Sequence, residues 1–166
     1  MSLAGKVAII TGASSGIGAA TAIHLAKLGV NLAITGRNIQ NLEKTEERCR
    51  AIGGAEVFVI QGDVSNETDC KNIIDSTVKH FKKLDILVNN AGILEMGSIE
   101  NTSLEQYDRV MNTNVRAVYN LTMLAVPHLE ATKGNIVNVS SVNGIRSFPG
   151  VLAYNISKAA LDQLTR

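Results

Sequence analysis

The chain has 166 residues, the size of one domain, with 45% hydrophobic and 19% charged residues. That balance supports a packed core and excludes a disordered chain. The formal net charge is +1 and there is no dense Lys/Arg block, which excludes the electrostatic footprint of a nucleic-acid binder.

Short Val/Ile-rich runs alternate with segments of helical period. KVAIIT (6–11) is predicted as a strand with no polar face, as expected when both sides are covered. A helix follows over about 17–28 and is stopped by Gly29. Next come a strand, VNLAITG (30–36), and a charged helix over 40–51 that ends at Gly53-Gly54. A third strand, EVFVIQ (56–61), precedes a helix over 66–81. LDILVNNAG (84–92) contains the fourth strand, and a long helical region over 104–129 is predicted to break near its end at Pro127. Its apolar stretch, residues 117–126, is interrupted by Asn120 and Thr122 and falls short of the ~18 residues of a membrane span. GNIVNVSS (134–141) is the fifth strand, and helical period resumes from about 151.

This alternation implies right-handed crossovers and an α/β fold, a doubly wound parallel sheet with helices on both faces and strand order 3-2-1-4-5. One domain is predicted over 1–166. Its last helix meets Arg166 with no glycine or proline stop, and its fifth strand would be an uncovered edge. The expectation is a domain incomplete at its C-terminus, with the C-terminal strands missing. The start, MSLAGKVAII, lacks the core and cleavage site of a signal peptide, so a cytoplasmic protein is expected. Cys49 and Cys70 form no CxxC pair, and His24, His80 and His128 are scattered; free thiols and no metal site are expected.

TGASSGIG (11–18) lies between the first strand and the first helix. Gly12, Gly16 and Gly18 permit a tight turn and close approach of a pyrophosphate, and the helix N-terminus offers unpaired N–H groups. The spacing G-x-x-x-G-x-G differs from the common dinucleotide fingerprint, and no GK[ST] follows, which argues against a triphosphate loop. A glycine-rich turn that only eases packing is the plain alternative. Ser14, Ser15 and Ile17 complete the predicted cofactor contacts of this turn. An NAD site usually places an acid about 20 residues further on; here Arg37 follows the second strand. A guanidinium suits a 2′-phosphate, so NADP is expected over NAD, unless Arg37 is a solvated loop residue. Asp63 and Val64, at the end of the third strand, are predicted beside the adenine. Asp63 could instead cap the next helix, although Ser65 or Asn66 is better placed.

Taken in order, TGASSGIG, NNAG (89–92), Asn114 in NTNV, Ser141 in NVSS and YNISK (154–158) resemble the short-chain dehydrogenase/reductase family over essentially the whole chain. Ser141 precedes Tyr154 by 13 residues and Tyr154 precedes Lys158 by four, as the family pattern requires. The resemblance implies a Rossmann-type fold, a nicotinamide cofactor, and a small-molecule alcohol/carbonyl substrate. It also implies a homo-oligomer, dimer or tetramer, formed through the helices near 104–129 and 151–166. Tyr154 would be the general acid or base, Lys158 would bind the nicotinamide ribose, and Ser141 would hydrogen-bond the substrate oxygen. Asn114 would hold a water linking Lys158 to solvent. Asn90, Ala91 and Gly92 would lie along the cofactor, with Asn89 bracing the central strand. A free tyrosine has a pKa of about 10, and a lysine cation one helical turn away favours the phenolate.

Candidate pocket residues are Leu94, Glu95 and Met96 after NNAG, and Val142, Asn143, Ile145 and Phe148 after the serine. Being mostly apolar, they point to an apolar or amphipathic carbonyl compound. The alternative is a non-catalytic dinucleotide-binding module, if the native chain ends here. A methyltransferase with a similar glycine turn is disfavoured by the intact Ser/Tyr/Lys set.

Overall fold

The computed structural model describes residues 2–166. Its elements in chain order are β1 (Val7–Thr11), α1 (Gly16–Lys27), β2 (Asn31–Gly36), α2 (Ile39–Arg50), β3 (Val57–Gln61) and α3 (Glu67–Phe81). Then follow β4 (Ile86–Asn89), α4 (Leu104–Met111), a π-helical turn (Asn112–Arg116), α5 (Ala117–Thr132), β5 (Asn135–Asn138) and α6 (Leu152–Thr165). All strand pairs are parallel and the order is β3-β2-β1-β4-β5, as the alternating pattern predicts.

Successive residues of a strand point to opposite faces, so an all-apolar strand feeds two cores at once. In β1, Ile10 joins Leu32, Ile34 and Leu42 on the face covered by α1 and α2. Its neighbour Ile9 joins Ile73, Leu87, Leu121 and Leu129 on the face covered by α3 and α5. Cys49 and Cys70 are free and buried; the Cys70 thiol donates to the Val64 carbonyl at 3.1 Å, and burial pushes its pKa up to about 11.

At the amino end of the sheet, buried Asp85 accepts from the Val7 N–H at 2.9 Å and from Lys6 Nζ at 3.1 Å. Lys83 Nζ lies 3.2 Å from the same carboxylate. Burial alone would raise the Asp85 pKa; the Val7 N–H and the two lysines outweigh it and hold the carboxyl below its ordinary value. The Asp85 carbonyl also accepts from the Asn135 N–H at 2.9 Å, which ties β5 to the same knot.

Two local expectations change. Pro127 lies inside α5, which continues to Thr132. Proline removes one backbone bond, the one owed to the Met123 carbonyl, and Met123 lies on the solvent side of the helix. The helix stops instead at Lys133, which is left-handed at φ 52°, with the Gly134 N–H donating to Leu129 O at 2.7 Å. The fifth strand is shorter than predicted, four residues, with Asn135 and Val137 exposed. Beside it, on the α1 face, an open groove of about 640 Å³ is lined by Leu25, Ile86, Val88, Val137 and Val139. Among the described residues, no helix is long and apolar enough to cross a membrane.

Candidate active site

A crevice of about 600 Å³ opens at the carboxyl ends of β1 to β4, where doubly wound sheets bind ligands. The β1–α1 turn forms one wall through Gly12, Ser14, Ser15, Gly16 and Ile17. Gly16 has φ +54° with no atom within 4 Å of where a Cβ would stand, so it meets the crevice as bare backbone. Ser15 occupies the N-cap position of α1 but makes no side-chain capping bond. A bare turn, a disengaged hydroxyl and the first N–H groups of a helix fit a pyrophosphate. Gly18 does not line the crevice. A Cβ there would stand 2.3 Å from the Gly12 carbonyl oxygen and 2.5 Å from Asn90 Nδ2, so this glycine serves packing beneath the turn.

Asn90 holds the turn in place. Its Nδ2 donates to Thr11 O at 2.8 Å and Gly12 O at 3.2 Å. The Asn90 and Ala91 N–H groups both donate to Thr11 Oγ1 at 3.0 Å. Asn89 braces the neighbouring strand, donating to Asn138 Oδ1 at 2.9 Å. The opposite wall carries exposed Arg37 after β2, then Asp63 and Val64 after β3. Asp63 Oδ1 accepts from the Ser65 N–H at 2.9 Å and the Ser65 hydroxyl at 2.7 Å. The cap of α3 is Asn66, whose Oδ1 accepts from the Thr68 N–H at 2.9 Å. Asp63 is thus fixed at the crevice and is not the helix cap.

Asn114 is buried in the π-helical turn. Its Oδ1 accepts from the Ile93 N–H at 2.8 Å; its Nδ2 donates to Ile93 O at 2.8 Å and to Ser157 Oγ at 3.0 Å. This one amide joins the segment after β4, the π turn and α6. Both of its hydrogens are engaged by protein atoms, so a water here would meet its oxygen or the backbone.

Lys158 and Tyr154 project from α6. Lys158 is buried, donates to Val139 O at 2.8 Å, and holds its Nζ 5.6 Å from the Tyr154 ring centre. Burial lowers the Lys158 pKa, and nearby Asp162 opposes the shift. The inner end of the crevice is Gly92, where a Cβ would stand 3.3 Å from Asn114 Oδ1 and 3.8 Å from Lys158 Nζ. Gly92 therefore brings the glycine-turn crevice up against the lysine. Half-buried Ser141 starts a short 3₁₀ turn, Val142–Gly144, and its Oγ accepts from the Asn143 N–H at 3.2 Å.

Several lining residues escaped the sequence reading: Gly36, Gly62, Ile93, Arg109, Asn112 and Thr113. Arg109 comes from α4 and is clamped by both oxygens of Glu95, at 3.0 and 2.8 Å; its guanidinium holds the Glu95 carboxyl below the usual range. The helical period around 104–116 marks these positions only as one face of a helix. Of the proposed pocket residues, Leu94, Met96, Val142, Ile145 and Phe148 are exposed, while Glu95 is committed to Arg109.

Comparison with known proteins agrees with this geometry. A family model described as short chain dehydrogenase matches residues 6–166. The 11-beta-hydroxysteroid dehydrogenase-like 2 protein of Arabidopsis thaliana is 44% identical over 158 residues, covering 95% of this chain and 51% of that protein. The chain thus spans about half the length of the curated relatives it matches. A short-chain dehydrogenase/reductase of unknown function from Caenorhabditis elegans, solved with cofactor, is 40% identical with a TM-score of 0.92, over 99% of this chain and 64% of that one. One from Burkholderia phymatum, solved in complex with NAD, is 35% identical with a TM-score of 0.94, over 99% of this chain and 59% of that one. With the family model matching residues 6–166 and the backbone following a solved member over 99% of the chain, the chain belongs to the short-chain dehydrogenase/reductase family.

Proposed function

We propose that the chain carries the cofactor and proton-transfer site of a cytoplasmic NADP(H)-dependent oxidoreductase that interconverts an alcohol and a carbonyl compound. The observation that carries this reading is the placement of Lys158 Nζ, 5.6 Å from the Tyr154 ring centre and next to Gly92 at the inner end of the crevice. A nicotinamide dinucleotide, when bound, supplies or accepts the hydride. The residues of this chain do the rest. The Gly12–Gly16 turn and the α1 N-terminus hold the pyrophosphate, Asp63 and Val64 flank the adenine, and Asn90, Ala91 and Gly92 line the path inward. Tyr154 gives its phenolic proton to the carbonyl oxygen in reduction and takes one from the alcohol in oxidation. The Lys158 cation favours negative charge on that phenolic oxygen and holds the nicotinamide ribose. Ser141 orients the reacting oxygen, and Asn114 supports the lysine end of the site.

The basic Arg37 on the crevice wall, with no acid at the end of β2, supports NADP. The exposed apolar Leu94, Met96 and Val142 and the hydroxysteroid dehydrogenase-like relative support an apolar or amphipathic substrate. Exposed Tyr119 and Met123 on α5 and Ile156 on α6 support a homo-oligomer. The test is NADPH oxidation by the complete gene product across a panel of ketones, steroid ketones included. Turnover is expected, and Arg37→Asp is expected to cut kcat/KM for NADPH by about tenfold or more while sparing NADH. An unchanged coenzyme ratio overturns the NADP reading. Dinucleotide binding with no turnover of any substrate overturns the enzyme reading in favour of a binding module.

A further inference from the structure

The Ser141 hydroxyl is not free to face any direction. Its Oγ–H donates to Asn143 Oδ1 at 3.0 Å while its oxygen accepts from the Asn143 N–H at 3.2 Å. Asn143 Nδ2 in turn donates to Asn155 Oδ1 at 2.7 Å, and Asn155 Nδ2 donates to Phe148 O at 2.8 Å. The polarity of this chain is dictated from its far end. A backbone carbonyl only accepts, so Asn155 must turn its NH₂ to Phe148 and its oxygen to Asn143. Asn143 must then turn its NH₂ to Asn155 and its oxygen to Ser141, which leaves the serine as donor.

Asn155 is 8% exposed and lies in α6 between Tyr154 and the helical turn that carries Lys158. Asn143 lies in the turn that Ser141 begins. The two amides therefore lock the serine turn to the helix that bears the tyrosine and lysine. Amides hydrogen-bonded in series in this way are stiff, because turning either one breaks a bond that the next depends on.

We infer that Asn155, acting through Asn143, is a positioning residue for Ser141. It sets the distance and angle at which the serine hydroxyl meets the substrate oxygen, and holds the hydroxyl proton until that oxygen competes for it. Neither amide needs to touch substrate for this role. The inference rests on the reading of the site as an alcohol/carbonyl oxidoreductase.

A double-mutant cycle on the complete gene product tests it. Asn155→Ala is expected to lower kcat/KM for a ketone about tenfold when Ser141 is present and less than about twofold in the Ser141→Ala background, as for coupled neighbours. Affinity for NADPH, titrated by its fluorescence, is expected to stay within about twofold because the coenzyme crevice does not include these amides. Asn143→Ala cuts the same chain from the turn side and gives the second cycle should Asn155→Ala fail to fold. Equal losses with and without Ser141 overturn the inference, since a general structural role would act regardless of the serine. Tyr154→Phe is the control for the underlying reading. If it leaves turnover intact, the oxidoreductase assignment fails; if it abolishes turnover while the cycles show no coupling, only the positioning role fails.

Discussion

The two halves of the site are held by different means. The glycine-turn half rests on β1, buried at all five of its residues, and its shape is set mainly by backbone: glycines without a Cβ, the N–H groups of α1, and one amide, Asn90, tying the turn to β4. The Ser/Tyr/Lys half rests on β5, an edge strand with two of its four residues exposed. There the constraint comes from side chains: Lys158 on Val139 O, Asn143 on Ser141, Asn155 on Asn143. A strand paired on both sides and covered on both faces is rigid by itself. In the second half, hydrogen bonds from polar side chains to one another and to strand-end backbone hold the groups in place. The halves should therefore fail differently: the first when carbon atoms are added, the second when hydrogen bonds or charges are removed.

The largest expected effect is on chemistry alone. Tyr154→Phe should cut turnover by about 10²–10⁴-fold, the span of general acid–base catalysis, while NADPH binding stays near wild type. Equal damage to turnover and binding would show that the halves are not separable. Gly18→Ala should do the reverse. Its Cβ would stand 2.3 Å from the Gly12 carbonyl oxygen, so the turn must move, at a cost of about 1–3 kcal/mol of stability as in other overpacked sites. NADPH affinity should fall with it. Gly16→Ala meets no atoms and bears only its positive φ, about 1–2 kcal/mol. Thermal unfolding and coenzyme titration of the pair check this; normal binding by Gly18→Ala would break the comparison.

The smallest effect lies at the amino end of the sheet, away from the site, at Asp85, whose carboxylate holds β1 through the Val7 N–H and whose carbonyl holds β5 through the Asn135 N–H. Its folded pKa is depressed below its ordinary value of 3.8. The stability it contributes is present above that unfolded value and is lost as pH falls through the folded one. Asp85→Asn, which keeps an oxygen for the Val7 N–H, should cost about 0.5–1.5 kcal/mol near neutral pH. The gap in melting temperature from wild type should hold down to about pH 5 and narrow as pH falls below that, towards the depressed folded value; a constant gap would assign the loss to packing rather than charge.

Much of this was legible beforehand. The short Val/Ile-rich runs and the helical periods between them predict every strand and the sheet order, and the glycine turn, Arg37, Asp63, Val64 and Asn90 to Gly92 lie where the motifs put them, along the crevice. Gly18 packs beneath the turn and does not line the crevice; glycine spacing does not distinguish a residue that faces a ligand from one that faces the turn beneath it. Pro127 signals a helix break by propensity, which counts the lost N–H but not the packing that carries the helix past it. Arg109, Asn112 and Thr113 stayed hidden because a helical pattern does not say which face meets the crevice.

Sequence alone determined the alternation of elements, the glycine turn and the Tyr154–Lys158 spacing, because each depends on residues a few positions apart. Tertiary structure decided which groups complete the site. Asn90 reaches Thr11 across 79 positions, Lys158 reaches Val139 across 19, and Asn155 reaches Asn143 across 12. Such partners are chosen by how strand ends and helix faces meet in space, and hydrogen-bond geometry at that meeting is not written in any local pattern.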